Sequence, residues 1–323
     1  MGELASAQVV VTGAGGVIGS RLVRRLVERG ADVTAIDLRQ PARDAEIDRV
    51  RYVVADISNG QGLQAQLTGA DVVYHFAYLM GEEANADPVA AARINTLGGT
   101  TMLQACLEAK VGRLLLASSI SVFGSTQDYS KSELPLGDRA PKLGSKGITV
   151  YGAGKIYLEL LAEHYSRRHG LLVGGLRPGA VIGCSRTTGR AKTVANIVAM
   201  AVKERQVSLQ NGKAAFPAIH VDDVVGAFLA LATAAPSALA DQLFFNLAGD
   251  HTTVRSFCNE VGAILPDVRF DILDGDSDEL FGTTAFVKDE GIHQVIGYQR
   301  RYPSLRAAIK AEVEELTAAP AAI

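Results

Sequence analysis

Tyr151 and Lys155 stand four residues apart, so on a helix both side chains leave the same face. A free tyrosine, with a pKa of about 10, is a poor base near neutrality, but a neighbouring ammonium favours the phenolate and lowers that value. The pair therefore has the makings of a general acid–base group. Its alternative is an interfacial tyrosine beside a solvated lysine. Upstream, LLLASSISVFG brings a strand to an end in serines, at the edge where ligands bind in an open parallel sheet. Ser119 is placed there to hydrogen-bond a reacting oxygen, with Ser121 as its neighbour on the substrate side.

A second constellation lies near the N-terminus, where VVVTGAGGVIG puts Gly13, Gly16 and Gly19 at a strand-to-helix turn. Gly13 permits the tight turn, Gly16 the approach of backbone to a pyrophosphate, and Gly19 the close packing of helix on strand. Val17 and Ile18 open the helix, whose free N–H groups and dipole suit phosphate charge. The spacing is G-x-x-G-x-x-G, one residue away from the plain dinucleotide fingerprint. Asp37, closing DVTAIDLR, is placed to accept both ribose hydroxyls of an adenosine. A 2′-phosphate there would meet like charge, so NAD is expected over NADP. Leu38 follows on the same wall, and Arg39 stands where it would reach such a phosphate, lie over the adenine or face solvent. Asp56 and Ile57, after VRYVVA, are placed to flank the adenine, with helix capping as the other role of the aspartate.

The elements that must hold these residues alternate in the first half: QVVVTG, SRLVRRLVERG, DVTAIDL, VRYVVAD, ADVVYHFA, NTLGGTTMLQACLEAK and RLLLASS. Short β-branched runs between helical stretches imply a parallel sheet with crossover helices. The helix opening near Tyr151 runs through KIYLELLAEHYSRRHG and ends at a glycine, and the strand LLVGGLRPG follows. From about Gly183 the rhythm loosens into CSRTTGRAK, the helix TVANIVAMAVKE, VSLQNGKAAF and a His-Val-Asp-Asp that starts another helix. The expected fold is α/β, a Rossmann-type doubly wound parallel sheet with a smaller C-terminal substrate-binding lobe. Residues 1–180 form the NAD-binding domain and 181–323 mainly the lobe, with the segment near 219–235 returning to the first domain.

The chain has 323 residues, 48% of them hydrophobic, enough for a large core. A formal charge of −3 with interspersed signs provides no basic stripe and speaks against nucleic acid. No leader pattern and no apolar run of spanning length is visible, so membranes are not expected and the location is read as cytoplasmic. Three scattered cysteines suit a reducing compartment, and six dispersed histidines make no paired metal-ligand spacing, so no metal is expected.

Taken together, TGAGGVIG, HFAY, SSISVFG, YGAGK and LRPGAVIG resemble, in order and spacing, the extended short-chain dehydrogenase/reductases, the group that includes sugar epimerases and dehydratases. The resemblance implies that Tyr151 is the acid/base, Lys155 its pKa modifier and a ligand of the nicotinamide ribose, and Ser119 the donor to the substrate oxygen. It assigns Phe76, Ala77 and Tyr78 to the cofactor wall, Asn95 to the helix supporting the site, and Pro178 to the nicotinamide side. His75 is shared with the family, with closure of a strand end as its other role. The family also often pairs two subunits through the helices represented here by NTLGGTTMLQACLEAK and KIYLELLAEHYSRR, so a homodimer is expected.

Family members share hydride removal from a carbinol carbon while tyrosinate takes the hydroxyl proton. Dehydration is disfavoured because Ile120 and Ser121, not an Asp-Glu pair, follow Ser119. The asparagine and arginine that nucleotide-sugar members use on the diphosphate are missing from Gly179-Ala180-Val181 and from KAAFPAIHVDD, although Lys213 or Arg186 offer substitutes. This departure points to a smaller hydroxylated or keto substrate, a hydroxy acid or sugar acid, and SSISVFG followed by TVYGAGK is similar to the threonine and sugar-acid dehydrogenase branches. Arg186 and Arg190 are placed to bind a substrate carboxylate, solvation being their other role. An epimerase with tightly held cofactor and a non-catalytic dinucleotide binder remain the alternatives.

Overall fold

The computed structural model describes residues 4–41, 46–60, 62–140, 148–183, 191–276, 278, 280 and 284–318. Along the chain its strands are β1 (Gln8–Thr12), β2 (Asp32–Asp37), β3 (Val50–Val54), β4 (Val72–His75), β5 (Arg113–Ala117), β6 (Val173–Pro178), β7 (Ala180–Ile182), β8 (Gln206–Leu209), β9 (Ala215–His220), β10 (Phe244–Leu247), β11 (Asp250–Thr253) and β12 (Arg269–Ile272). The main sheet has seven strands in the order β10-β6-β5-β4-β1-β2-β3, and every neighbouring pair is parallel. The doubly wound sheet expected from the sequence is therefore present. The strand order reverses between β1 and β4, which opens a crevice at their carboxyl ends.

Alternation along the strands explains the two covered faces. Val9 and Val11 join Leu22, Leu26 and Phe228 on one side, whereas Val10 joins Met102, Leu103 and Leu158 on the other. The first face is covered by helix Val17–Glu28 and by helix Val221–Thr233, which carries Val224, Val225 and Phe228 into that core. A third core, around Val194, Ile197, Phe216, Phe257 and Ile309, gathers the later elements. There β9 pairs with β7 in parallel and with β11 antiparallel, and β12 with β8 in parallel.

The helix expected from Asn95 onward begins with a wide turn over Ala92–Leu97 before the regular stretch Gly98–Glu108. Such a turn disturbs the regular ladder and redirects side chains, often at functional sites. Here it carries Asn95 inward, whose amide accepts from the Leu79 N–H at 2.7 Å and donates to the Leu79 carbonyl at 3.0 Å.

Helix Leu305–Ala318 buries Glu312, which accepts the Gly183 N–H at 3.2 Å. Burial pushes this carboxyl up from 4.5 to about 8. The folded chain thus holds a proton that the unfolded chain loses above about pH 4.5, so stability falls as pH rises from there to about 8. Glu312→Gln keeps the acceptor and is expected to melt higher than the parent at pH 8, with the gap shrinking towards pH 4.5. Thermal unfolding across that range checks it; a pH-independent gap would contradict the assignment.

Candidate functional site

The carboxyl ends of six main-sheet strands, β1 to β6, converge on one cavity of about 1030 Å³. Gly13 follows β1 with φ +69°, and a Cβ there would lie 2.6 Å from the Ala77 nitrogen. Gly19 sits so close to the turn that a Cβ would approach the Gly13 carbonyl oxygen to 2.2 Å. The two contacts explain why glycine is needed where the chain turns and where the helix meets it. Gly16 is the N-cap of helix Val17–Glu28 and offers no side-chain cap, and the first turn holds no acidic residue. Its first turn lines the cavity, and among the described residues no side chain caps its N–H groups.

Asp37 ends β2, and its Oδ2 accepts the Gly15 N–H at 2.9 Å. One carboxylate oxygen thus steadies the glycine turn while the group stays on the cavity wall with Leu38 and Arg39. Asp56 also lines the cavity, but its Oδ1 caps the short helix Ile57–Asn59 through the Ser58 N–H and hydroxyl, at 2.9 and 2.7 Å, and its Oδ2 pairs with Arg93 at 3.2 Å. The Ser58 hydrogen bonds, more than Arg93, hold its carboxyl below the usual range. Its capping role is therefore present, and Ile57 beside it supplies an apolar surface.

His75 ends β4 and is buried, its Nδ1 bonded to the Thr12 hydroxyl at 2.8 Å. Burial lowers its pKa to about 3, so the ring is neutral and ties β4 to β1 beside the crevice. After it, Phe76, Ala77 and Tyr78 line the cavity, as does Pro178 at the end of β6.

The nicotinamide end assigned by the resemblance is built by helix Val150–His169, whose N-cap Thr149 accepts the Gly152 N–H at 3.1 Å. Tyr151 stands in its first turn and lines the cavity with Ser119 and Ser121. Ser119 caps the short helix Ile120–Phe123, accepting the Ser121 N–H, and donates to the Ser121 hydroxyl, both at 3.1 Å. Lys155 is 3% exposed and its Nζ donates to the Ala117 carbonyl at 2.6 Å. Burial drives its pKa from 10.5 down to about 7, against the pull of Glu159 one turn along.

Behind this pair lies a network that the sequence reading did not single out. Arg177 on β6 grips Glu159 with two nitrogens, at 2.8 and 2.6 Å, and both side chains are buried. Ser118 donates to the same carboxylate, and Arg177 reaches the Asp138 carbonyl at 2.6 Å. The signal available in sequence was position: Glu159 is four residues after Lys155, on the same helix face.

Of the proposed substrate residues, Arg186 and Arg190 lie outside the described residues. Lys213 does not line the cavity; it is exposed and pairs with Asp274 at 3.7 Å. Among the described residues no cluster of three or more His, Cys, Asp or Glu could hold a metal ion, and no helix is long and apolar enough to cross a membrane.

The elongated cavity thus offers an uncapped helix N-terminus in the middle, a carboxylate and apolar side chains at one end, and a Ser-Tyr-Lys set at the other. That donor set fits a dinucleotide. Comparison with known proteins agrees: the sequence pattern of the NAD dependent epimerase/dehydratase family matches residues 9–248. A UDP-glucose 4-epimerase of Azospirillum brasilense is 32% identical over 197 residues, 59% of this chain and 54% of that protein, so the chain spans about half the length of that relative. A 3-beta-hydroxysteroid dehydrogenase of Mycolicibacterium neoaurum is 27% identical over 277 residues, 81% of this chain and 72% of the other. Among solved structures, the L-threonine dehydrogenase of Clostridium difficile superposes with a TM-score of 0.84 at 20% identity, over 97% of this chain and 98% of its own. The UDP-glucose 4-epimerase of Thermotoga maritima gives 0.82 at 22%, over 96% and 98%. At such identities the structures speak to the shared fold.

Proposed function

The chain belongs to the NAD-dependent epimerase/dehydratase family, and on that footing we propose that it is a dehydrogenase interconverting a secondary alcohol and a ketone on a small hydroxylated substrate, a hydroxy acid or sugar acid. The observation that carries this reading is the meeting of Ser119, Tyr151 and Lys155 at one end of a single cavity whose middle is the glycine turn. NAD, when bound, supplies the acceptor for the hydride. Ser119 holds the substrate oxygen, Tyr151 takes or returns the hydroxyl proton, and the Lys155 ammonium keeps the tyrosine acidic enough to do so. Gly13, Gly16, Val17, Ile18, Asp37, Leu38, Ile57, Phe76, Ala77 and Pro178 form the cofactor wall. Asp56 stands on that wall with its carboxylate engaged by Ser58 and Arg93.

The small-substrate reading draws support from Gly179, Ala180 and Val181, which line the cavity without a side-chain amide, and from Lys213, which is turned to Asp274. The epimerase reading has one observation in its favour, the 32% identity to a UDP-glucose 4-epimerase over more than half of this chain. Incubation with NAD and a panel of sugar acids, hydroxy acids, polyols and UDP-sugars separates them. NADH accumulating with a sugar acid or hydroxy acid is the expected result; an isomerised UDP-sugar with no free NADH would overturn the dehydrogenase reading.

A further inference from the structure

Tyr78 lies under the acid–base pair in an arrangement that a cofactor-wall role does not account for. The Lys155 Nζ sits 3.2 Å from the centre of the Tyr78 ring, against 5.6 Å from that of Tyr151. The two tyrosine rings meet edge to face, 5.5 Å apart at 88°. The Tyr78 hydroxyl is buried and makes no hydrogen bond among the described residues. It occupies the place where residue 154 would carry its side chain: a Cβ on Gly154 would lie 2.5 Å from that oxygen. The Asn95 amide, bonded to both backbone groups of Leu79, fixes the loop that carries the ring.

We infer that Tyr78 is a positioning residue for the acid–base pair, its ring face serving as the seat of the Lys155 ammonium and Gly154 as the notch that admits it. A buried ammonium is costly unless charge or π-density faces it. The groups facing Lys155 divide by element. Glu159, on its own helix, pulls Lys155 towards the charged form from one turn away but makes its direct contacts to Arg177 and Ser118. His75, from β4, is neutral. The Ala117 carbonyl at the end of β5 accepts one of its hydrogens. Tyr151 is the group whose proton is at stake, and beside the Ala117 carbonyl the Tyr78 ring is the other negative surface in direct contact with the ammonium. Removing that ring favours neutral lysine, and a neutral lysine no longer favours tyrosinate, so the Tyr151 pKa rises.

The inference rests on the reading of Tyr151 as the acid/base, and one titration tests the two separately. The NAD-loaded protein is titrated by the ultraviolet difference absorbance of tyrosinate, with the Tyr151→Phe variant subtracted to isolate Tyr151. In the parent, Tyr151 is expected to ionise below the ordinary value of about 10; if it does not, the acid–base reading itself fails. Given that low ionisation, Tyr78→Leu is expected to raise it by about one unit, and Tyr78→Phe, which keeps the ring, to leave it in place. Gly154→Ala closes the notch and is expected to act like Tyr78→Leu, which decides the matter if the leucine variant does not fold. An unshifted titration in folded Tyr78→Leu or Gly154→Ala, or an equal rise in Tyr78→Phe, overturns the inference.

Discussion

Tyr151→Phe is expected to lower turnover by about 10²–10⁴-fold, the usual worth of a positioned general acid or base, while NAD still binds. The change deletes one oxygen and keeps the ring, so the edge-to-face contact with Tyr78 survives. In the proposed reading NAD is held by the glycine turn, the helix N-terminus and the Asp37 wall, none of which the substitution alters. Steady-state rates with the substrate found by the screen, together with an NAD binding isotherm, test both halves. Undiminished turnover would remove Tyr151 from the chemistry.

The largest expected loss of stability follows from Arg177→Met. Glu159 would be left 5% exposed with its guanidinium partner gone, and breaking one side of a buried ion pair costs about 3–5 kcal/mol. The Asp138 carbonyl would lose its donor as well. Exchanging both members, as Arg177→Met with Glu159→Leu, removes the stranded charge and is expected to recover much of the loss, although Ser118 then gives up its acceptor. Denaturant unfolding of the single and double variants measures this. A single-variant loss below about 1 kcal/mol would mean that water reaches the carboxylate and that the pair is no structural tie.

The residues that the sequence singles out and the cavity brings together are those placed by local spacing. The glycines at 13, 16 and 19 and the Tyr151–Lys155 pair each sit within one turn of chain, where periodicity and backbone sterics act directly. The alternating β-branched runs likewise reveal the sheet, because inward and outward valines must separate onto two faces. What escaped depends on contacts between distant segments. Arg177 and Glu159 are ordinary residues in their own elements and become a pair only when β6 passes behind helix Val150–His169. Tyr78 reads as one more aromatic in HFAY until Gly154, far along the chain, is seen to vacate the space it fills. Glu312 lies on a helix near the C-terminus whose pattern does not disclose that Gly183 will present an N–H to it.

The position of β10 bears on how the protein is made. Strands β1 to β6 are complete once the chain has been synthesised as far as Pro178, but the strand that covers the β6 edge arrives only at Phe244–Leu247, after the whole of β7, β8 and β9 has been translated. Until then the growing chain carries an open sheet edge, the kind of surface that recruits foreign strands. The nascent protein therefore passes through a stage in which its cofactor crevice is already outlined while its sheet is still unsealed, and a ribosome stalled between those two points would expose that edge to aggregation.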